Sequence, residues 1–343
     1  MSRSNSSIEQ AITKLKDGQS LSETETVDAM DLVMEGSATN KQIEALLVGL
    51  HQKGETADEL VGAAKSLRKQ MTVINSNRSG IVDTCGTGGS GKNVFNVSTA
   101  AAIVAASAGA SVAKHGNRKS TSKSGSADVL SVMGVNVECS IEVVEKCLNQ
   151  LGLCFCFAPL FHPAVKNVGK VRKKLDHPTI FNLIGPLCNP ANAPFQVLGA
   201  GRGETRELLA QSLAKLGTTR AIVVHGQDGV GEISVSETTN VSEIRNGHIA
   251  NSELVPTDFG IEKNLGIGLL VVQNPQQSAD VIQRVLEGQP GPARDIVIAN
   301  AAATLWVSGI SDDLMTGADR CKMAIDKGHA NEIFKELIEM TNK

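Results

Sequence analysis

Four glycines fall within the six positions Gly86-Thr-Gly-Gly-Ser-Gly91, between the apolar pair Ile81-Val82 and the alanine-rich stretch from Val97 to Ala108. Phosphate oxygens bind best to bare backbone N–H groups and to the first turn of a helix, and this order of segments supplies both. After a short apolar run, Ala110 to Ala113, the chain reads Lys114-His-Gly-Asn-Arg-Lys-Ser-Thr-Ser122. Lys114, His115, Arg118 and Lys119 stand there beside the amide of Asn117 and the hydroxyls of Ser120, Thr121 and Ser122. Together the two stretches describe a pocket for a small ligand carrying more than one phosphate.

Two common readings of the glycine loop fail on their neighbours. Gly86-x-Gly88-x-x-Gly91 fits a dinucleotide fingerprint, which needs an acidic residue about 20 positions on for a ribose hydroxyl. Here the next strand runs into Lys114-His115, the wrong charge. Gly86-x-x-x-x-Gly91-Lys92 resembles a P-loop, yet Asn93 stands where a hydroxyl must meet Mg²⁺. The apolar run Ala221-Ile-Val-Val-His225 ends in histidine rather than the acid that completes such a site.

Both stretches taken together resemble the anthranilate phosphoribosyltransferases, relatives of the pyrimidine nucleoside phosphorylases. The resemblance rests on Gly-Thr-Gly-Gly with Asn96-Val-Ser-Thr99, on Lys-His-Gly-Asn-Arg, and on Ser124-Gly-Ser-Ala-Asp128. It continues through Val171-Arg172, Thr179-Ile-Phe-Asn-Leu-Ile-Gly-Pro-Leu-Cys-Asn-Pro190, Val223-Val-His-Gly226 and Glu232-Ile-Ser234, over essentially the whole chain. It implies transfer of the phosphoribosyl group of 5-phosphoribosyl 1-diphosphate (PRPP) to the amine of anthranilate, in tryptophan biosynthesis, with Mg²⁺. The PRPP site implied is Gly86, Gly88, Gly89, Ser90, Val94, Asn96, Val97, Ser98, Thr99, Lys114, His115, Gly116, Asn117, Arg118, Lys119, Ser120, Thr121, Ser122 and Ser126. Anthranilate falls to Gly86, Asn117 and Arg172, and Mg²⁺ to Ser98 and Glu232. Without the resemblance, Arg172 would read as part of a solvated basic helix from Lys166 to Lys174.

The sequence departs from the family pattern at the metal. Ser90 replaces an acid in the first loop, Val94 replaces a threonine, and Gly231-Glu232 stands where an Asp-Glu pair is usual. Lys92 adds a cation nearby. These changes shift the local formal charge by about +3, enough to alter how a diphosphate is neutralised in a low-dielectric cleft. One firmly held Mg²⁺ with Lys92 supporting the diphosphate is the expectation, and Asp228 reaching the metal is its rival. Two classes of function stay open: the transferase itself, and a same-fold relative acting on another aromatic amine or nucleobase or binding phosphoribosyl ligands or nucleic acid without catalysis.

Bulk properties narrow the field. The chain of 343 residues is 41% hydrophobic and 20% charged, with a formal net charge of -3. That balance argues against a general nucleic-acid binder, which needs a basic surface. With one Trp, no Tyr and eight Phe, stacking platforms for single strands are not expected. The seven cysteines form no C-x-x-C pair and read as buried thiols of a reducing compartment. The polar N-terminus has no apolar signal core and no run is long enough to span a membrane, so a cytoplasmic protein is expected.

Along the chain, residues 8 to 70 read as four short helices. Capping boxes start three of them, at Ser22-x-x-Glu25, Thr39-x-x-Gln42 and Thr56-x-x-Glu59, and Gly36 and Gly54 sit where helices end. Ile43, Leu46, Leu47 and Leu50 form one apolar helix face, and the expectation is that it builds a homodimer through the helical domain. From Ile81 onward short β-branched runs alternate with helices: strands at 81–82, 110–113, 135–137, 153–157 and 221–224, and helices at 97–108, 204–216 and 292–307. Asn246-Gly247 marks a type I′ hairpin turn. The fold expected is α/β, with a small all-helical N-terminal domain (1–76, joined by a segment around 163–190) and a large domain (77–343) around a mostly parallel sheet. The ligand site then lies in the cleft between them.

Overall fold

The computed structural model describes residues 6–119, 122–262 and 266–343. Its N-terminal layer consists of α1 (Ser6–Lys16), α2 (Glu23–Met34), α3 (Asn40–Lys53) and α4 (Ala57–Lys69). The capping boxes of Ser22, Thr39 and Thr56 are all formed, so each of these helices starts with its first N–H groups satisfied. Gly62 lets α4 cross α2 closely: a Cβ there would lie 2.6 Å from the Glu23 carbonyl.

Behind this layer stands a seven-stranded sheet: β1 (Ile81–Gly86), β2 (Ser111–Gly116), β3 (Leu153–Phe157), β4 (Phe195–Gly199), β5 (Arg220–Gly226), β6 (Thr239–Arg245) and β7 (His248–Leu254). Their order is β3-β2-β1-β4-β5-β6-β7, parallel through β5 and antiparallel beyond it. Asn246 and Gly247, with φ of 50° and 83°, turn the final hairpin as a type I′ turn requires. Helix α5 (Val97–Ser107) and the helix Pro292–Val307 pack against each other, almost wholly buried. Alanines dominate both, which permits the close approach. Among the described residues no helix is long and apolar enough to cross a membrane.

Two local expectations change. Residues 135–137 are not a strand: the Val135 N–H closes the end of the helix Ser126–Val132 by donating to the Leu130 carbonyl, and the Asn136 N–H donates to Thr341 Oγ1. Strand β4 escapes pattern reading because the polar Gln196 sits in its middle, fully inside the protein.

The apolar face of α3 is also not a free surface. Ile43, Leu46, Leu47 and Leu50 are at most 2% exposed. They share one core with Ile8 and Leu15 of α1 and with Val168, Ile180 and Leu187 of the 164–187 segment. The chain covers this face itself, so the face gives no ground for a dimer. Leu47→Glu is accordingly expected to lower stability by at least about 3 kcal/mol, as for opening a core and burying a charge. Thermal unfolding of the isolated variant checks this, and an unchanged melting temperature would contradict the burial.

Candidate active site

The strand order reverses at β1, whose neighbours β2 and β4 lead away in opposite directions. Open parallel sheets bind ligands at such a point, beyond the C-terminal ends of the strands. A cavity of about 530 Å³ lies there, roofed by α3 and the 158–186 segment. Its walls carry Gly86, Gly88, Gly89, Ser90, Val94, Asn96 and Ser98 from the first stretch, and Lys114, His115, Gly116, Asn117, Arg118, Lys119, Ser122 and Ser126 from the second. Arg172 and Glu232 join them from two further segments. Ser120 and Thr121 lie outside the described residues.

Val97 and Thr99 do not reach the cavity. Successive helix residues turn by about 100°, so Ser98 on α5 faces the cavity while its two neighbours point into the α/β core. Val97 is fully buried and Thr99 is 1% exposed, its hydroxyl without a hydrogen-bond partner. Asn96 does line the cavity, but its amide is engaged: Oδ1 accepts from Ser124 Oγ at 2.7 Å and Ser278 Oγ at 2.8 Å. It fixes the start of α5 more than it offers donors.

In the glycine loop, Gly88, Gly89 and Gly91 have φ between 68° and 81°, which other residues rarely adopt. Gly201 packs against this turn, where a Cβ would fall 1.9 Å from the Gly88 carbonyl. Lys92 does not line the cavity. Its chain lies over Gly229, whose notional Cβ would be 2.5 Å from Lys92 Cε, so the side chain packs on the 226–230 turn.

The basic loop is held from beneath by Asp128, which accepts from the Lys119 and Gly125 N–H groups at 2.7 and 3.1 Å. Gly125 permits this: a Cβ would lie 2.3 Å from Lys119 N. Arg118 pairs with Glu138 at 2.7 Å and lies over the Phe157 ring. Lys114 is 3% exposed, its ammonium donating to the Thr84 carbonyl and to Ser98 Oγ. His115 and His162 meet through their Nε2 atoms at 3.2 Å. Burial, reinforced by His162, pushes His115 down to about 3, so it is neutral at physiological pH.

Arg172 is largely enclosed, packs 5.2 Å over the Phe181 ring, and has no carboxylate partner among the described residues. Burial lowers its pKa from the usual value, as expected for a cation waiting for an anion. Glu232 is its opposite: burial first, then Asp228, raises it to about 7, against the pull of Lys114. Asp228 itself is committed to Ser234 Oγ at 2.6 Å. Sequence reasoning did not single out His51, Phe181, Asn182 or Arg202 as cavity residues. Phe181 and Asn182 stand inside the Thr179 to Pro190 string, which could have pointed to them. His51 and Arg202 carry no such signal.

Residues 9–71 match the glycosyl transferase family, helical bundle domain, and residues 78–331 match the glycosyl transferase family, a/b domain. Helical layer, sheet and cleft thus define a glycosyl transferase of this two-part build. The anthranilate phosphoribosyltransferase of Acetivibrio thermocellus is 44% identical over 339 residues, 98% of this chain and 97% of its own length. The crystal structure of the Thermus thermophilus enzyme of that name superposes with a TM-score of 0.91 at 34% identity, covering 97% of this chain and 99% of the other. The Saccharomyces cerevisiae enzyme in complex with PRPP and Mg gives 0.89 at 26% identity, covering 100% and 99%. The chain belongs to the anthranilate phosphoribosyltransferases.

Proposed function

We propose that this chain transfers the phosphoribosyl group of PRPP to the amine of anthranilate, releasing diphosphate and N-(5-phosphoribosyl)anthranilate for tryptophan biosynthesis. The observation that carries the reading is one cavity holding a glycine loop, a basic loop and an enclosed arginine with no carboxylate partner among the described residues. A diphosphate needs the first two, and an aromatic carboxylate needs the third. In this reading residues 1–76 with the 163–190 segment form the helical part, and residues 77–343 carry PRPP.

As C1 of the ribose loses diphosphate it gains positive character, and the leaving group keeps its negative charge. Catalysis then consists of positioning the two substrates and neutralising the leaving group, with no protein nucleophile. The N–H groups of Gly86, Gly88 and Gly89 and Ser98 in the first turn of α5 face the diphosphate. Asn117, Lys119 and Ser122 face the phosphates from the other wall. Arg172 grips the acceptor carboxylate with two parallel N–H bonds, aiming the neighbouring amine at C1.

Mg²⁺ fits this site through Glu232, whose poorly solvated carboxylate lacks a full counter-charge, and through the Ser98 hydroxyl. When bound it supplies positive charge to the diphosphate. Among the described residues no three His, Cys, Asp or Glu side chains gather around one point, which favours one ion completed by water and substrate oxygens. A homodimer belongs to the same reading, with the family resemblance as its support.

The test is formation of N-(5-phosphoribosyl)anthranilate from PRPP, anthranilate and Mg²⁺, followed by the loss of anthranilate fluorescence. Nucleobases and other aromatic amines serve as competing acceptors. Turnover of one of those with none of anthranilate would replace this reading by the same-fold relative, and binding of PRPP without any turnover would make the protein a phosphoribosyl binder.

A further inference from the structure

Strands β1 and β2 pair only through Ile81–Ser111 and Val82–Val112. On its other side β1 stays paired to β4 as far as Gly86–Gly199, and β2 stays paired to β3 as far as Gly116–Phe157. The sheet therefore forks between β1 and β2 alone. The glycine loop leaves one prong and the basic loop leaves the other.

Two side chains cross this fork in opposite directions. Asp83 of β1 accepts the His115 N–H of β2 at 3.1 Å. Lys114 of β2 donates to the Thr84 carbonyl of β1 at 2.6 Å and to Ser98 Oγ at 3.1 Å. Asp83 is 0% and Lys114 3% exposed. A continued backbone ladder would satisfy the same N–H and C=O groups without burying two charges, at a lower desolvation cost. Gln196 Nε2 reaches the carboxylate from the side at 3.5 Å while donating to the Pro186 carbonyl at 2.7 Å, and Asn189 Nδ2 ties the neighbouring residue of β2 down through the Ala113 carbonyl at 2.8 Å.

We infer that Asp83 and Lys114 form a reciprocal brace that sets the width of the fork, and that Asp83 is thereby a positioning residue for the diphosphate of PRPP. Asp83 does not line the cavity. It acts by fixing the distance between the Gly86–Gly91 loop and the Gly116–Lys119 loop, which must both reach one ligand. A misplacement of about 1 Å between such groups can cost a hundredfold in rate. The inference deepens the proposed reaction and rests on it.

Wild-type turnover of PRPP and anthranilate is measured first. Its absence sinks the reading of the site, and its presence isolates the brace for testing. Asp83→Asn keeps an oxygen for the His115 N–H, Asp83→Ala removes it, and Asp83→Glu keeps acceptor and charge on an arm one methylene too long. Asp83→Ala and Asp83→Glu are each expected to raise KM for PRPP at least about tenfold, with a clearly smaller rise for anthranilate, which takes only Gly86 and Asn117 from the two loops, and Asp83→Asn to stay within about fivefold of wild type for both. Equal rises for the two substrates, an Asp83→Glu variant with wild-type KM values, or an Asp83→Asn variant beyond that limit overturns the inference. Should Asp83→Ala fail to fold, the Glu and Asn variants decide by the same limits.

Discussion

Replacing Arg172 by alanine is expected to lower kcat/KM for anthranilate by about 2–5 kcal/mol, the range for removing one partner of an enclosed charge pair. The affinity for PRPP is expected to stay nearly unchanged. The helix Lys166–Arg172 places the side chain at its last turn, and packing over Phe181 holds the guanidinium there without help from a carboxylate among the described residues. A cation so enclosed gains more from a substrate carboxylate than an exposed one, because little water competes. Lysine should rescue poorly, since it lacks the planar fork that meets two oxygens at once. The variant is also expected to melt no lower than wild type, because it removes a desolvated charge. Steady-state kinetics in each substrate check the split, and an equal loss for both, or none, would detach Arg172 from the acceptor.

Glu232→Gln should separate stability from activity. In the ligand-free fold the carboxyl of Glu232 titrates near 7, raised from an ordinary 4.5 by burial and by Asp228. A raised carboxyl means that the folded state binds the proton more tightly than the unfolded chain does. Stability is therefore fully present below pH 4.5 and is lost as pH rises from there through 7. Glu232 is half-buried on the cavity wall, so the loss above pH 7 is roughly 1–3 kcal/mol. Glutamine removes that penalty: the variant should melt higher than wild type at pH 8 and equally at pH 4. At the same time it loses the carboxylate proposed to hold Mg²⁺, so turnover should fall at least about a hundredfold at low Mg²⁺. Melting curves at the two pH values and a Mg²⁺ titration of activity read both effects. A variant that is no more stable at pH 8 and keeps its Mg²⁺ dependence would remove Glu232 from the metal.

The route to a second acidic ligand is narrow. Gly231 sits against the 200–201 backbone, where a Cβ would meet the Ala200 carbonyl at 3.2 Å. An aspartate at 231 thus requires the β4 end to yield by a few tenths of an ångström. Asp228, the rival ligand, spends its Oδ2 on Ser234. Both facts belong with the single ion proposed above.

Much of this is legible in the sequence. The capping boxes of α2, α3 and α4 are local in origin, because a helix start is chosen by four consecutive residues. The glycine loop and the Lys114 to Ser122 stretch are legible for the same reason: their chemistry is contiguous. What escaped depends on distant partners. Gln196 hides β4 because a buried amide looks polar until its acceptor, Pro186, is known. The resemblance brings Val97 and Thr99 along with Ser98, but a matched string says nothing about rotation about a helix axis. Ile43, Leu46, Leu47 and Leu50 announce that their face must be covered, but cannot say that residues 164–187 cover it. Lys92 declares a charge and not a direction. His51 and Arg202 reach the cavity from segments with no motif at all.

The shared core of the helical layer has a consequence for biosynthesis of the polypeptide. The first four helices leave the ribosome as a unit, with good local start signals and short connections. Yet Ile8, Leu46 and Leu50 cannot complete their packing until Val168, Ile180 and Leu187 have been made, and Ile244 of β6 joins the same cluster later still. Contacts this far apart in sequence carry a large loop-closure cost and form late. During that interval the nascent helices hold exposed apolar surface, the condition under which chains associate wrongly or recruit chaperones. The interleaving that seats the cleft between two layers also delays its first layer, so the active site and the solubility of the growing chain come from the same late event.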